Sequence, residues 1–281
     1  MTRIFKSIWS EFIYGGHLLA LGPTIIVFVC LKLLDLPVVF SLLVEVYLIT
    51  FIVYFFDRYS DLDKESSFVR IQRFNSYKKL VPFILLVISF IVYAIMREKG
   101  IIVLLFAFLL LALGFGYSLV FKKATKYIVG FKSFYVALVF SSVSFFVTIY
   151  YTYPLNWSIL LLFLFFLIRW FANTTFCDIK DRDQDEKTGL KTYAVVLSTQ
   201  AFYNFLSIIN FISITPIIIG IYFGFLPIYA IFLFFVVPYF EYCLILAKKN
   251  NYDIQKVTNE WADGEALLWL FLILIGGKLW G

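Results

Sequence analysis

Apolar runs alternate with short polar stretches along the whole chain. Nine runs, at roughly 12–34, 37–56, 80–96, 100–121, 130–150, 155–175, 201–223, 226–247 and 264–280, are apolar enough to be helices in hydrocarbon. Crossing a bilayer takes about 20 helical residues. Backbone groups in lipid must be satisfied within the protein, which selects helices over open sheets. The pattern predicts an all-α polytopic membrane protein with nine transmembrane helices. The polar stretches are uneven: Leu34–Pro37, Tyr151–Trp157 and Gly224–Pro227 barely turn the chain, whereas those after runs 2 and 6 are long and charged. Nine spans in 281 residues leave no room for a soluble unit, so residues 1–281 read as one domain. Run 1 follows Arg3, Lys6 and Glu11 with no small-residue cleavage site, so it reads as a span and not as a signal peptide.

Composition supports this picture. The chain is 62% hydrophobic and 15% charged, with a mean hydropathy of +0.92, which excludes an ordinary soluble domain. Twenty of its 24 Lys and Arg lie at the N-terminus or after runs 2, 4, 6 and 8; only Lys32, Arg97, Lys99 and Lys278 fall on the other side. The positive-inside rule then predicts a cytoplasmic N-terminus, an outside C-terminus and integration in the cell membrane. The net charge of +6 follows from that topology and calls for no nucleic-acid partner. Nothing in the sequence requires an obligate protein partner either. Cys30, Cys177 and Cys243 lack zinc-like spacing and read as small apolar residues.

Carboxylates are scarce, at 18 in the chain, yet two matching D-R-x-x-D clusters stand at 57–61 and 181–185. Each begins where an apolar run ends. The repeat predicts two four-helix halves, roughly 12–121 and 130–247, plus a ninth helix at 264–280, around a central cavity with a site between the halves. On helices continued past the membrane edge, Asp57 and Asp61 lie about 40° apart. Asp178, Asp181 and Asp185 also share a face, while Asp63 and Asp183 point elsewhere. Carboxylates gathered this way call for divalent cations. Mg2+ takes oxygen ligands and keeps positions open for substrate phosphates. Carboxylate–magnesium–diphosphate bridging is the chemistry that fits, with Asp57, Asp61, Asp178, Asp181 and Asp185 as metal ligands. Lys122, Lys123, Arg70, Arg73, Lys180 and Arg182 are the cations near enough in sequence to meet a diphosphate. Lys122 and Arg73 are the preferred pair. Most of the 35 Phe and 19 Tyr pack between helices or face lipid. A minority would wall a pocket for an allylic chain and stabilise a carbocation by cation–π attraction.

These residues resemble the UbiA-type intramembrane prenyltransferases. Asp178-Ile-Lys-Asp181-Arg-Asp-Gln-Asp185 with the following Gly189-Leu-Lys-Thr192 is similar to the family's D-x-x-D-x-x-x-D and its G-x-x-T-like tail. Tyr117-Ser118-Leu-Val-Phe-Lys122-Lys123 is similar to its Y-S-x-x-x-K-R segment. The first motif departs: Val53 and Tyr54 stand where the family has Asn and Asp, with Asp57 and Asp61 intact. The resemblance implies a Mg2+-dependent transferase that moves a polyprenyl group from its diphosphate to a hydrophobic acceptor. It implies catalytic roles for Asp57, Asp61, Asp181, Asp185 and Lys122, and substrate contacts from Arg73, Lys123, Asn173, Tyr117 and Arg182. The acceptor stays open among aromatic acids, quinone precursors, glycerol-phosphate lipids and tetrapyrroles. Two alternatives remain: an inactive scaffold of the same fold, suggested by Val53 and Tyr54, and a cation transporter. Transporter sites lie near the midplane, where only Glu45 is found among the acids. Glu45 reads as an interhelical hydrogen-bonding group or a substrate contact, His17 as a structural group at the cytoplasmic edge, and Arg169 as a snorkelling anchor or a polar ligand.

Overall fold

The computed structural model describes residues 3–60, 81–249 and 252–280, and among them there are helices and turns but no strand. The chain runs through α1 (Arg3–Tyr14), α2 (His17–Leu33), α3 (Phe40–Ser60), α4 (Val81–Glu98), α5 (Ile101–Leu119), α6 (Phe131–Ser142), α7 (Phe145–Tyr150) and α8 (Trp157–Cys177). It continues through α9 (Arg182–Thr188), α10 (Tyr193–Val196), α11 (Thr199–Ile212), α12 (Thr215–Tyr222), α13 (Val236–Lys248), α14 (Ile254–Lys256) and α15 (Glu265–Trp280). The all-α expectation holds.

Six helical stretches among the described residues are long and apolar enough to cross a bilayer: Phe40–Asp57, Ile101–Leu119, Phe131–Tyr150, Trp157–Thr188, Thr199–Tyr222 and Ile228–Lys248. A seventh counts if α1 and α2 are taken together across their 65° bend. The nine expected from apolar runs are not all reached, for a physical reason. The apolar part of α4, Val81–Ala94, falls short of a full crossing length, and so does α15 at 16 residues.

The bend between α1 and α2 falls at Gly15-Gly16. Gly16 has φ of 89°, and a Cβ there would stand 2.2 Å from the Tyr54 ring, so only glycine fits. The run at 130–150 breaks between α6 and α7 around Val143-Ser144, and the run at 201–223 breaks before Thr215-Pro216. Proline lacks the N–H that a continuous helix needs. A large buried core, including Ile26, Leu31, Phe146, Phe165, Phe166, Trp170 and Trp269, joins α2, α3, α5, α6, α8 and α15. A smaller one, around Phe176, Phe202 and Phe240, joins α8, α11 and α13.

A buried polar network crosses this core. Arg169 on α8 is fully buried. Its Nε donates to Glu265 Oε1 at 2.8 Å and its second terminal nitrogen lies 2.6 Å from Glu265 Oε2. The other terminal nitrogen donates to Asn210 Oδ1 and to Ser213 Oγ. Asn210 donates on to Glu241 at 2.7 Å, and Trp269 Nε1 donates to Glu265 at 3.0 Å. Arg169 is therefore no snorkelling anchor. It ties α8, α11, α13 and α15 together. His17 bonds the Tyr47 hydroxyl at 2.5 Å and stacks on Phe51, linking α2 to α3 as expected of a structural histidine.

Candidate active site

One cavity of about 180 Å³ is lined by residues between Leu19 and Asp181 and by Asp263. Its walls come from α2, α3, α5, α6, α8, the turn after α8 and the residue before Gly264. Leu19, Val53, Val136, Val139, Phe140 and Trp170 form an apolar side, with Tyr54, Tyr117 and Tyr135 beside them. The polar end carries Asp57, Asp178, Asp181, Asp263, Lys132 and Lys180.

Helix α3 runs on past its apolar stretch to Ser60, which carries Asp57 to the cavity. Ser118, next to Tyr117 on α5, donates to Asp57 Oδ1 at 2.7 Å. The second cluster is built differently from a continued helix. Helix α8 ends at Cys177, Asp178–Asp181 forms a 3-10 turn, and α9 starts at Arg182. Side chains three apart on a 3-10 turn eclipse one another, so Asp178 and Asp181 both reach the cavity. Asp185, on α9, is buried and Asp183 is exposed.

Asp178 is almost completely buried and engaged on both oxygens. Lys132 Nζ lies 2.8 Å from Oδ1, and Ser133 Oγ donates to Oδ2 at 2.6 Å. The same Nζ lies 3.5 Å from Asp185 Oδ2. Among the described residues four acids line the cavity, Asp57, Asp178, Asp181 and Asp263, and Lys132 bridges Asp178 to Asp185. Asp61 lies outside the described residues, as do Asp63, Arg70 and Arg73. Among the described residues no three Asp, Glu, His or Cys side chains stand close enough to form a metal cage by themselves. The donor set still suits a hard cation. Asp57, Asp181 and Asp263 offer only carboxylate oxygens to one space, and Mg2+ is ordinarily held by one or two carboxylates plus substrate phosphates.

The other sequence candidates divide between the cavity and its outside. Tyr117 lines the cavity and stacks on Tyr135 with centroids 5.6 Å apart. Asn173 lines it too, but its amide donates to the Ala262 carbonyl at 2.7 Å, so it first serves to hold the segment before α15. Lys180 lines it and donates to Asn259 at 2.6 Å. Lys122 and Lys123, on the 3-10 turn Phe121–Lys126, are not part of the cavity wall, and neither is Arg182, at the start of α9, which donates to Thr199 Oγ1 at 3.4 Å. Lys132 and Asp263 were missed by sequence reasoning. In sequence Lys132 looks like any of the twenty cations that orient the chain. Asp263 stands alone before the last apolar run, and a lone carboxylate carries no motif.

Fold and site together define a polytopic α-helical membrane protein whose cavity joins an acidic end to an apolar, aromatic wall. Residues 78–273 match the UbiA prenyltransferase family. The chain belongs to that family, and membership suggests a prenyltransferase working within a membrane. Among solved structures it is similar to the apo form of a UbiA homolog from Aeropyrum pernix K1, with TM-score 0.67 and 14% identity over 94% of this chain and 97% of that one. It is also similar to a structure of a digeranylgeranylglyceryl phosphate synthase, with TM-score 0.57 and 14% identity over 96% of each chain. At that identity the likeness speaks for the fold alone. A sequence search of curated proteins returned no match.

Proposed function

We propose that this protein transfers a polyprenyl group from a prenyl diphosphate to a hydrophobic, membrane-accessible acceptor, with Mg2+ at the diphosphate. The observation that carries this reading is that Asp57, Asp178 and Asp181 line one cavity together with Val136, Val139, Phe140 and Trp170. A substrate with one strongly anionic end and one greasy end matches that division. Asp57, Asp61 and Asp181 would hold the metal, which when bound neutralises charge on the departing diphosphate. Lys132 and Lys180 would meet phosphate oxygens directly. The allylic C–O bond breaks and its electron pair leaves with the diphosphate. The acceptor then forms the new bond to the allylic carbon and gives up a proton. Trp170, Phe140 and the cavity tyrosines would face the developing cation and keep water away from it. Lys122, Lys123, Arg73 and Arg182 would serve the approach to the site.

In this reading α4 and α15 complete the expected nine spans, and the loops after spans 2, 4, 6 and 8 face the cytoplasm. Cysteines placed at Ser66 and Lys187 should then resist an impermeant thiol reagent in sealed right-side-out vesicles. Efficient labelling of both would invert the topology.

Purified protein incubated with a panel of prenyl diphosphates, Mg2+ and host lipid extract should yield prenylated products by mass spectrometry. Excess chelator should abolish them, and Mg2+ or Mn2+ should restore them better than Zn2+, as oxygen ligands require. Full turnover in chelator would sink the metal-assisted step. No product from any donor would favour the inactive scaffold.

A further inference from the structure

We propose that Lys132 takes the place of a second divalent cation. Its ammonium bridges Asp178 and Asp185, so the second acidic motif meets the diphosphate with a built-in positive charge and the site takes one divalent ion, on the side of Asp57 and Asp181. This rests on the prenyl-diphosphate reading above.

Three observations carry it. First, the bridge is where a metal between these two carboxylates would have to sit: Nζ is 2.8 Å from Asp178 Oδ1 and 3.5 Å from Asp185 Oδ2. The remaining Asp178 oxygen is taken by Ser133 at 2.6 Å, so consecutive residues of α6 occupy both oxygens of Asp178. A metal there would have to displace a cation from a buried acid and then stand beside it.

Second, Lys132 is fixed by the backbone that carries it. It is the second residue of α6, directly after Gly130-Phe131. Gly130 has φ of 69°, and a Cβ there would stand 2.0 Å from the Tyr193 ring. Its N–H donates to the Lys191 carbonyl at 2.9 Å, and Lys191 N–H donates to the Thr125 carbonyl at 2.9 Å. Thr174 on α8 reaches the Ser133 carbonyl at 3.1 Å. The first turn of α6 is thus held against both the turn after α5 and the segment after the second motif.

Third, Lys132 also lines the cavity. An ammonium has three N–H donors. Two suffice for Asp178 and Asp185, and the third suits a phosphate oxygen. One positive charge between two negative ones leaves that corner with a net charge of −1, too little to call in a divalent ion of its own. Asp57, Asp181 and Asp263 stand elsewhere on the cavity wall.

The test counts metal ions. The full chain, purified in detergent, is titrated with Mn2+ in the presence of inorganic pyrophosphate, and free Mn2+ is followed by electron paramagnetic resonance. The wild type should bind one Mn2+ per chain, K132R one, and K132M two, because Asp178 and Asp185 are then released. D178N added to K132M should return the count to one. Two Mn2+ in the wild type would overturn the inference while leaving the prenyl-diphosphate reading intact, and so would a count of one in a K132M protein that elutes and melts like wild type. No Mn2+ uptake by the wild type would overturn both. If K132M does not fold, the wild-type and K132R counts still decide.

Discussion

Asp57→Asn and Asp181→Asn should each lower kcat/KM for prenyl transfer by about 10²–10³, equivalent to about 2.7–4 kcal/mol of transition-state stabilisation. Both side chains line the cavity, one from each half of the chain. The substitution keeps size and removes the charge that would hold a cation against the departing diphosphate. That charge matters more at the transition state than in the bound substrate, because the leaving group gains negative charge as the allylic bond opens. Asp183 is two residues from Asp181 and exposed. Asp183→Asn should change the rate by less than about tenfold, since an exposed charge is worth roughly 1 kcal/mol or less. Steady-state rates on purified variants, matched by melting behaviour, separate the two classes. An Asp183 variant as impaired as the Asp181 variant would mean that the turn after α8 does not select which acids face the substrate.

The largest effect on stability should come from Glu265→Gln. Arg169 is fully buried, and Glu265 supplies it with its only carboxylate contacts at 2.6 and 2.8 Å among the described residues. Removing one partner of a buried ion pair strands the other charge, at a cost of about 3–5 kcal/mol. Asn210 and Ser213 would still accept from the guanidinium but carry no compensating charge. Thermal unfolding in detergent should shift clearly downward, and folded yield should fall. Replacing both partners with apolar residues of similar volume should recover most of the loss, because the desolvation cost disappears with the charges. A Glu265→Gln protein that melts like wild type would mean that the four-helix network is not what holds α15.

The sequence speaks most clearly where chemistry and periodicity coincide. The apolar runs announce helices, and the clustered aspartates announce one end of the cavity, because acids are scarce in this chain. Spacing alone separates Asp183 from Asp181 and Asp185, since a tight turn and a helix both place positions three or four apart on one side. Less legible are the breaks in the runs. Gly15-Gly16 and Val143-Ser144 interrupt stretches whose hydropathy is continuous, and hydropathy does not register a bend. The pairings across the fold are hidden too. Lys132 meets Asp178, Asn173 meets Ala262 and Arg169 meets Glu265 through tertiary packing, with no local pattern to announce them. A lysine near the start of an apolar run looks the same whether it anchors to headgroups or bridges two buried acids. Val53 and Tyr54 read in sequence as lost ligands. In the fold they are wall residues, with Val53 against Gly114 and Tyr54 over Gly16.

The Arg169–Glu265 pair also sets a clock on synthesis. Its partners are separated by 96 positions. At roughly 5–20 residues per second, a ribosome needs about 5–20 s to travel from one to the other. During that interval α8 carries an arginine whose acid does not yet exist. Asn210, made earlier than Glu265, offers the guanidinium a neutral acceptor in the meantime. Helix α15 therefore arrives as a latch. A nascent chain stalled before residue 265 should be held by the insertion machinery or degraded, and one that passes it should be released as a closed bundle.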